Sequence, residues 1–360
     1  MEHEAALAER QFEFPGPVVN ISPFGSGHIH DTYLISCSDT DSSRFVLQKF
    51  NHNVFKNPQQ VMINIQKVLS HLDQPSRLEP MQIIRTRQGE LLYQSDDGVY
   101  WRVFSYLDHS ESFDQLLNRQ QAREAAGAFG CFLEMLSEMD SEELYTTIPD
   151  FHHLGTRFDQ LKEATRSGSE KRMKTCPKQI EFALSKEPQV IKFCKFLNHP
   201  KVPKRVTHND TKLNNVLFKQ GTTQAFSVID LDTVMPGLLL YDFGDMARTF
   251  CNSVPEEGEA SQVLFRMDYF EALCEGFFSN FRLNLQTMEL NSLKAGPWWM
   301  TFIMGIRFLT DYLLGDVYYK INYPEHNLNR AENQFALLAD IENKQSIINE
   351  NIDRQFGLTS

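Results

Sequence analysis

The sequence predicts an α+β fold in two lobes: a small antiparallel β lobe with one helix over residues 1–107, and a larger, mostly helical lobe over residues 108–360. Three observations lead there. Short β-type runs separated by Gly- and Asp-containing turns fill residues 19–104. From Phe113 onward, apolar residues recur at spacings of three and four. The two patterns meet at Tyr100-Trp101-Arg102-Val103-Phe104-Ser105-Tyr106-Leu107-Asp108, an aromatic run that leaves the last strand and forms the obvious hinge.

Taken in order, residues 1–18 read as a short helix and a lead-in. Residues 19–24 and 32–35 are strands flanking the turn Gly25-Ser26-Gly27-His28-Ile29-His30-Asp31. Glycine in such a turn lets backbone N–H groups come close to a ligand, and His28, His30 and Asp31 place hydrogen-bonding groups at the mouth of a cleft. Residues 44–50 form a third strand. Side chains alternate along it, so only one of Gln48 and Lys49 can face the cleft, and the register is open. Asn57 caps a helix with Pro58 at its first position, and Val61, Ile65, Val68, Leu69 and Leu72 make its apolar stripe. No Asp or Glu lies between Pro58 and Leu72. Two hairpins follow: residues 81–84 turn at 87–90 into 91–93, and Asp96-Asp97-Gly98 turns into 99–104.

In the large lobe, residues 123–139, 158–165 and 179–197 read as amphipathic helices. Residues 296–314 form an apolar helix on which Arg307 and Asp311, four apart, can pair. Residues 323–328 are a loop before a last helix at 331–355.

Between these helices lies Thr207-His208-Asn209-Asp210-Thr211-Lys212-Leu213-Asn214-Asn215-Val216-Leu217-Phe218. A His, an Asp two residues later and an Asn five beyond it open a hairpin whose strands, 215–218 and 226–231, are joined by a polar turn. That pattern describes phosphoryl transfer, which needs a group to accept the proton of the incoming hydroxyl and a divalent cation on the phosphates. Asp210 suits the first role. Asn215 offers a neutral carbonyl oxygen to Mg²⁺, a cation that takes few protein ligands, and Asp230 returns beside it across the hairpin. Asp232, two residues on along the strand, shares that face and could reach the cation or a substrate hydroxyl. The lobes therefore suggest a protein-kinase-like architecture, with Ser105, Tyr106 and Leu107 at the position where hinge backbone would meet adenine. Asp242-Phe243-Gly244 imitates a kinase metal triplet but lies beyond the hairpin. Asp242 instead opens a helix and braces the loop, a placement favoured by the helix dipole.

Net charge is −12, which argues against a nucleic-acid partner, since phosphate backbones demand clustered Lys and Arg. The six cysteines show neither C-x-x-C pairs nor zinc-ligand spacing and read as reduced thiols. The first residues are acidic with no apolar core, unlike a secretory leader, and the most apolar window holds Arg307 and Asp311, unlike a membrane span. A cytoplasmic enzyme is expected.

The blocks at 207–218, 228–237 and 241–248 resemble the aminoglycoside phosphotransferase and choline kinase family. Further blocks at 25–33, 45–48, 101–104, 305–313 and 323–328 resemble a sugar-phosphorylating branch of it, so the likeness spans nearly the whole chain. The resemblance implies an enzyme using ATP and Mg²⁺ to phosphorylate the anomeric hydroxyl of N-acetylglucosamine or N-acetylgalactosamine. Asp210 matches the catalytic base, Asn215 and Asp230 the metal ligands, and His28 and Arg307 the sugar contacts. The family pattern has Gln where Gln48 stands, which turns Gln48 toward the nucleotide and Lys49 away. The alternatives are a kinase for an aminoglycoside, choline or homoserine, which shares the core motifs, and a non-catalytic nucleotide-binding protein, disfavoured because Asp210, Asn215 and Asp230 are all present.

Overall fold

The computed structural model describes residues 2–25, 29–38, 43–52, 54–281 and 285–357. The small lobe runs α1 (Glu2–Glu9), β1 (Val18–Pro23), β2 (Asp31–Cys37), β3 (Arg44–Lys49), α2 (Pro58–Leu72), β4 (Ile83–Ile84), β5 (Tyr93–Gln94) and β6 (Tyr100–Ser105). Its antiparallel sheet has the order β1-β2-β3-β6-β4, with β5 also on β6. Asn57 caps α2 by accepting from the Gln60 amide at 3.2 Å, and Pro58 follows it.

Strand alternation decides which face each residue serves. Phe45, Leu47, Trp101 and Val103 pack outward beneath α1 with Ala5, Ala8 and Phe12. Lys49 follows that face and meets Glu4 of α1 at 2.8 Å. Gln48, Arg102 and Phe104 therefore face inward. Residues 81–93 do not form the expected ladder with each other. The turn closes, with the Thr86 amide on the Glu90 carbonyl at 2.9 Å, but Leu91 and Leu92 leave to pack on the main core. As a result β4 and β5 lie along the same edge of β6.

The large lobe contains β7 (Ser110–Glu111), α3 (Arg119–Met135), α4 (Leu154–Ser167), α5 (Glu170–Met173), α6 (Pro177–Ser185), α7 (Glu187–Leu197), β8 (Arg205–Thr207), β9 (Val216–Lys219), β10 (Ala225–Val228), β11 (Met235–Gly237), α8 (Leu239–Phe250), α9 (Met267–Asn280), α10 (Thr287–Leu314) and α11 (His326–Gln355). Several boundaries differ from the sequence expectation: α10 begins at Thr287 where 296 was expected, and α4 at Leu154 where 158 was. α3 starts at Arg119 because Asn118 caps it. The helix expected at 179–197 is two, parted at Lys186, since Pro188 lacks the amide a continuous helix needs there. α11 begins at His326, so half of the expected loop at 323–328 is helical.

β9 and β10 pair antiparallel, Phe218 opposite Ala225 and Val216 opposite Val228. α8, which follows β11, crosses α10 at Gly244, where a Cβ would stand 2.3 Å from the Gly296 carbonyl oxygen. One continuous core joins α2, Phe50 and Phe104 to the helices of the large lobe, while the outer face of the small sheet keeps a separate core with α1. Among the described residues no helix is long and apolar enough to cross a membrane.

Candidate active site

The loop between β8 and β9 is held by side chains that satisfy its backbone. Asp242, buried in the first turn of α8, accepts the His208 and Asn209 amides at 2.7 and 2.6 Å. The Thr211 hydroxyl donates to the Asp242 carbonyl at 2.7 Å, and that of Thr233 to the His208 carbonyl at 2.7 Å. Burial pushes the Asp242 carboxyl up to about 6 despite those amides. Asn209 takes a left-handed conformation, φ 64°, which Asn tolerates better than most residues. His208 accepts the Asp210 amide on Nδ1 at 3.3 Å, so its Nε2 carries the proton and donates to the Ile229 carbonyl at 3.0 Å. The imidazole is thus a strut between loop and hairpin.

Asp210 projects from this frame. Its Oδ1 meets Lys212 Nζ at 2.9 Å, and its Oδ2 accepts from Asn215 Nδ2 at 3.1 Å. Burial alone would raise the carboxyl, but Lys212, His208 and the Asn215 amide outweigh it and hold Asp210 below its ordinary value. Lys212 lies inside the motif yet drew no role from the sequence, although a cation two residues after the presumed acceptor was the available signal. Replacing it with Gln should raise the Asp210 pKa and shift the acid limb of the kcat profile to higher pH, with kcat down about tenfold to a hundredfold. Steady-state kinetics between about pH 5 and pH 8 would show this; an unmoved limb would deny the contact its role.

The Asn215 amide nitrogen also donates to the Asp210 carbonyl at 2.8 Å, which leaves its Oδ1 as the free donor atom for a cation. The Asn215 carbonyl accepts the Ile229 amide at 2.9 Å, fixing the chain just before Asp230. Asp230 is left-handed at φ 60°, ψ 60°, past the end of β10, and is exposed. Enclosure by protein, and then the charges of Asp232 and Asp210, push it up to about 6 against the pull of His30 and Arg102. Two hard oxygen donors beside clustered negative charge fit Mg²⁺, which draws the rest of its shell from phosphates and water. Among the described residues no cluster of three His, Cys, Asp or Glu side chains would hold a metal unaided.

Asp232 departs from the expectation. The strand ends at Val228, so Asp232 sits in the 3-10 turn at 231–233 and does not share a face with Asp230. Its carboxylate is taken by Arg102 and His30. Arg102, mid-strand on the inward face, was overlooked in the sequence. Gln48 bonds Arg102 Nε through Oε1 at 2.9 Å and Thr32 Oγ1 through Nε2 at 3.2 Å.

At the hinge, the Ser105 and Tyr106 amides already donate to the Gln82 and Arg44 carbonyls at 2.9 and 3.1 Å, and the Leu107 carbonyl accepts from the Ser110 hydroxyl at 2.6 Å. The Leu107 amide is the group of these that the described hydrogen bonds leave open. His28 falls outside the described residues.

Arg307 and Asp311 do not pair. Asp311 instead accepts the Val317, Tyr318 and Tyr319 amides at 3.0, 2.9 and 2.9 Å and the Asn327 side chain at 3.0 Å, folding the loop after α10 back on itself. Four amide donors nearby outcompete one guanidinium for that carboxylate. Arg307 lies among Phe151, Tyr319 and Tyr318, 5.0, 5.6 and 5.7 Å from their ring centres, with no carboxylate partner among the described residues. His152, beside Phe151, donates from Nε2 to the Asn209 carbonyl at 2.8 Å. Burial, and then the charge of Arg307, lower it to about 4, so it stays neutral at working pH.

A small β lobe over a loop that presents one carboxylate beside a pair of hard oxygen donors is the framework of a phosphotransferase with a kinase-like fold. Residues 20–276 match the profile of the Phosphotransferase enzyme family, and the chain belongs to that family. Solved structures share the fold. An aminoglycoside phosphotransferase from Alicyclobacillus acidocaldarius matches at TM-score 0.64 and 14% identity, over 98% of this chain and 96% of its own. A microcompartment-associated aminopropanol kinase matches at 0.64 and 15%, over 96% and 98%. An amicoumacin kinase, determined with AMP-PNP and Ca²⁺, matches at 0.60 and 12%, over 99% and 94%.

Proposed function

We propose that the chain is an N-acetylhexosamine 1-kinase, moving the γ-phosphoryl group of ATP to the anomeric hydroxyl of N-acetylglucosamine or N-acetylgalactosamine. The observation that carries this reading is the guanidinium of Arg307, held among aromatic rings with no carboxylate partner among the described residues. Nearby Arg157, among the described residues, bonds the Phe151 carbonyl and Gln160, and Arg307 is close enough to depress it further after burial has done so. Two such cations repel an aminated acceptor and favour one that offers hydroxyl and acetamido oxygens.

In this reading Asp210 orients the anomeric hydroxyl and takes its proton late, which suffices because that hydroxyl is more acidic than an ordinary alcohol. Asn215 and Asp230 hold Mg²⁺, which when bound neutralises charge on the phosphates. Gln48 and the segment Ser105, Tyr106, Leu107 face the nucleotide, and His28 joins Arg307 on the sugar. A second reading, a kinase for an aminated alcohol, draws support from the net charge of −12 and from the aminoglycoside and aminopropanol kinases among the structural neighbours. A panel of hexoses, choline and an aminoglycoside with ATP and Mg²⁺ separates the two, with phosphorus NMR locating the phosphate. An anomeric phosphate on N-acetylhexosamine is expected. Phosphate at carbon six, or turnover of the amines alone, would sink the sugar reading.

A further inference from the structure

The helix α2 offers no acid to the sheet above it, yet a buried ion pair joins the lobes by another route. Arg102, 2% exposed in the middle of β6, places both terminal nitrogens on Asp232, 4% exposed, with Nη2 to Oδ2 at 2.8 Å. His30, where the glycine turn enters β2, stands with Nε2 at 2.5 Å from the same Oδ2. Its Nδ1 accepts the Asn51 amide at 3.0 Å, so Nε2 carries the proton and donates. Asn51, just past β3, also donates from Nδ2 to the Ile29 carbonyl at 3.0 Å. Through Nε, Arg102 reaches Gln48 of β3. Phe50 and Phe55 flank the His30 ring, and Arg102 lies over Phe50 and Phe104. One carboxylate therefore gathers β6, β3 and the entry of β2 onto the segment that carries Asp230.

Stability alone is a poor reason for such a cluster, because a buried pair is commonly no better than apolar side chains of similar volume. Fixing geometry is a better one. A planar guanidinium fork and an imidazole leave the carboxylate little orientational freedom. We propose that Asp232, Arg102 and His30 are positioning residues that lock the entry of β2 and β3 onto the Asp230 segment, so that a metal-bound nucleotide meets the small-lobe sheet and the metal-holding segment already assembled. Asp232 then acts through Asp230 and the entry of β2 and is not itself a ligand of the cation.

The inference rests on Asp230 as the metal ligand and is independent of the acceptor. The test is a titration of the full chain with a fluorescent ADP analogue, with and without Mg²⁺ and with no acceptor present, so failure of the sugar reading cannot influence it. The quantity read is the ratio of the two Kd values, which a purely structural role does not move. Removing one partner would strand a buried charge and threaten folding, so Arg102→Met is combined with Asp232→Leu. The double variant should melt near the parent temperature while the Mg²⁺-dependent gain in affinity falls about tenfold. His30→Asn, which leaves the ion pair in place, should lose about threefold to fivefold of that gain. Arg102→Lys should recover only part of it, since a point charge does not replace the fork. Asp230→Ala should abolish the gain, and if it does not, the metal assignment fails first. A double variant and a His30→Asn variant that both keep the parental ratio would overturn the proposal.

Discussion

Asp210→Asn is expected to lower kcat by about three to four orders of magnitude while nucleotide affinity stays within a few-fold of the parent. The carboxylate stands where its ordinary protonation is suppressed, with Lys212 on one oxygen and the Asn215 amide on the other. An amide fills the same volume and can still accept from Lys212, though it loses the bond from Asn215 Nδ2, and the Asp242 bonds to the His208 and Asn209 amides should keep the loop's shape. It cannot take a proton from an attacking hydroxyl. Steady-state kinetics beside a nucleotide titration separate the two effects, and turnover within a few-fold of the parent would remove Asp210 from its role. With an anomeric hydroxyl, the proposed acceptor, the loss is expected nearer the lower end of that range, because that hydroxyl is more acidic; a less acidic alcohol would depend on the carboxylate more heavily.

The second large effect is expected where α8 crosses α10. Gly244→Ala should cost about 2–4 kcal/mol of stability and lower kcat as well. A Cβ there would lie 2.3 Å from the Gly296 carbonyl oxygen and 2.6 Å from its carbon, both backbone atoms, so α8 and α10 must separate. α8 carries Asp242, whose two oxygens hold the His208 and Asn209 amides, and a displaced helix therefore loosens the loop that aims Asp210. Gly296→Ala gives the control. Its Cβ would approach the Leu240 oxygen at 3.0 Å and the Gly244 backbone at 3.3 Å, a milder contact with a smaller expected loss. Thermal melts of the two variants, ranked against kcat, check the order; a Gly244→Ala protein as stable and active as the parent would mean that the crossing yields freely.

Much of this site was legible because its logic is local. The cap at Asn57, the hairpin after Asn215 and the bracing role of Asp242 follow from residue types at short spacing, and the structure places them accordingly. What was missed depends on encounters across the fold. Arg102 and Asp232 are 130 residues apart, and no spacing rule connects them. An apolar run taken as strand to its end puts Asp232 on the face of Asp230, whereas the left-handed turn at Asp230 redirects everything after it. Arg307 and Asp311 have ideal helical spacing, yet the carboxylate goes to loop amides that sequence periodicity does not see.

The division of the core noted in the fold has a kinetic consequence. Because α2, Phe50 and Phe104 belong to the interior of the large lobe, and Asn64 of α2 bonds the Tyr145 and Val234 carbonyls at 2.8 and 3.0 Å, the small lobe is not an independent body that swings at residue 107. The edge strand β1, at the far end of the order β1-β2-β3-β6-β4, packs with α1 in the separate outer core and takes no part in that joint interior. Opening for nucleotide exchange is therefore expected at that edge, in β1 and the outer residues of β2, with α2 standing still. Amide hydrogen exchange would report it as early labelling of β1 and the outer residues of β2, long before α2, although all three lie on the same side of the hinge.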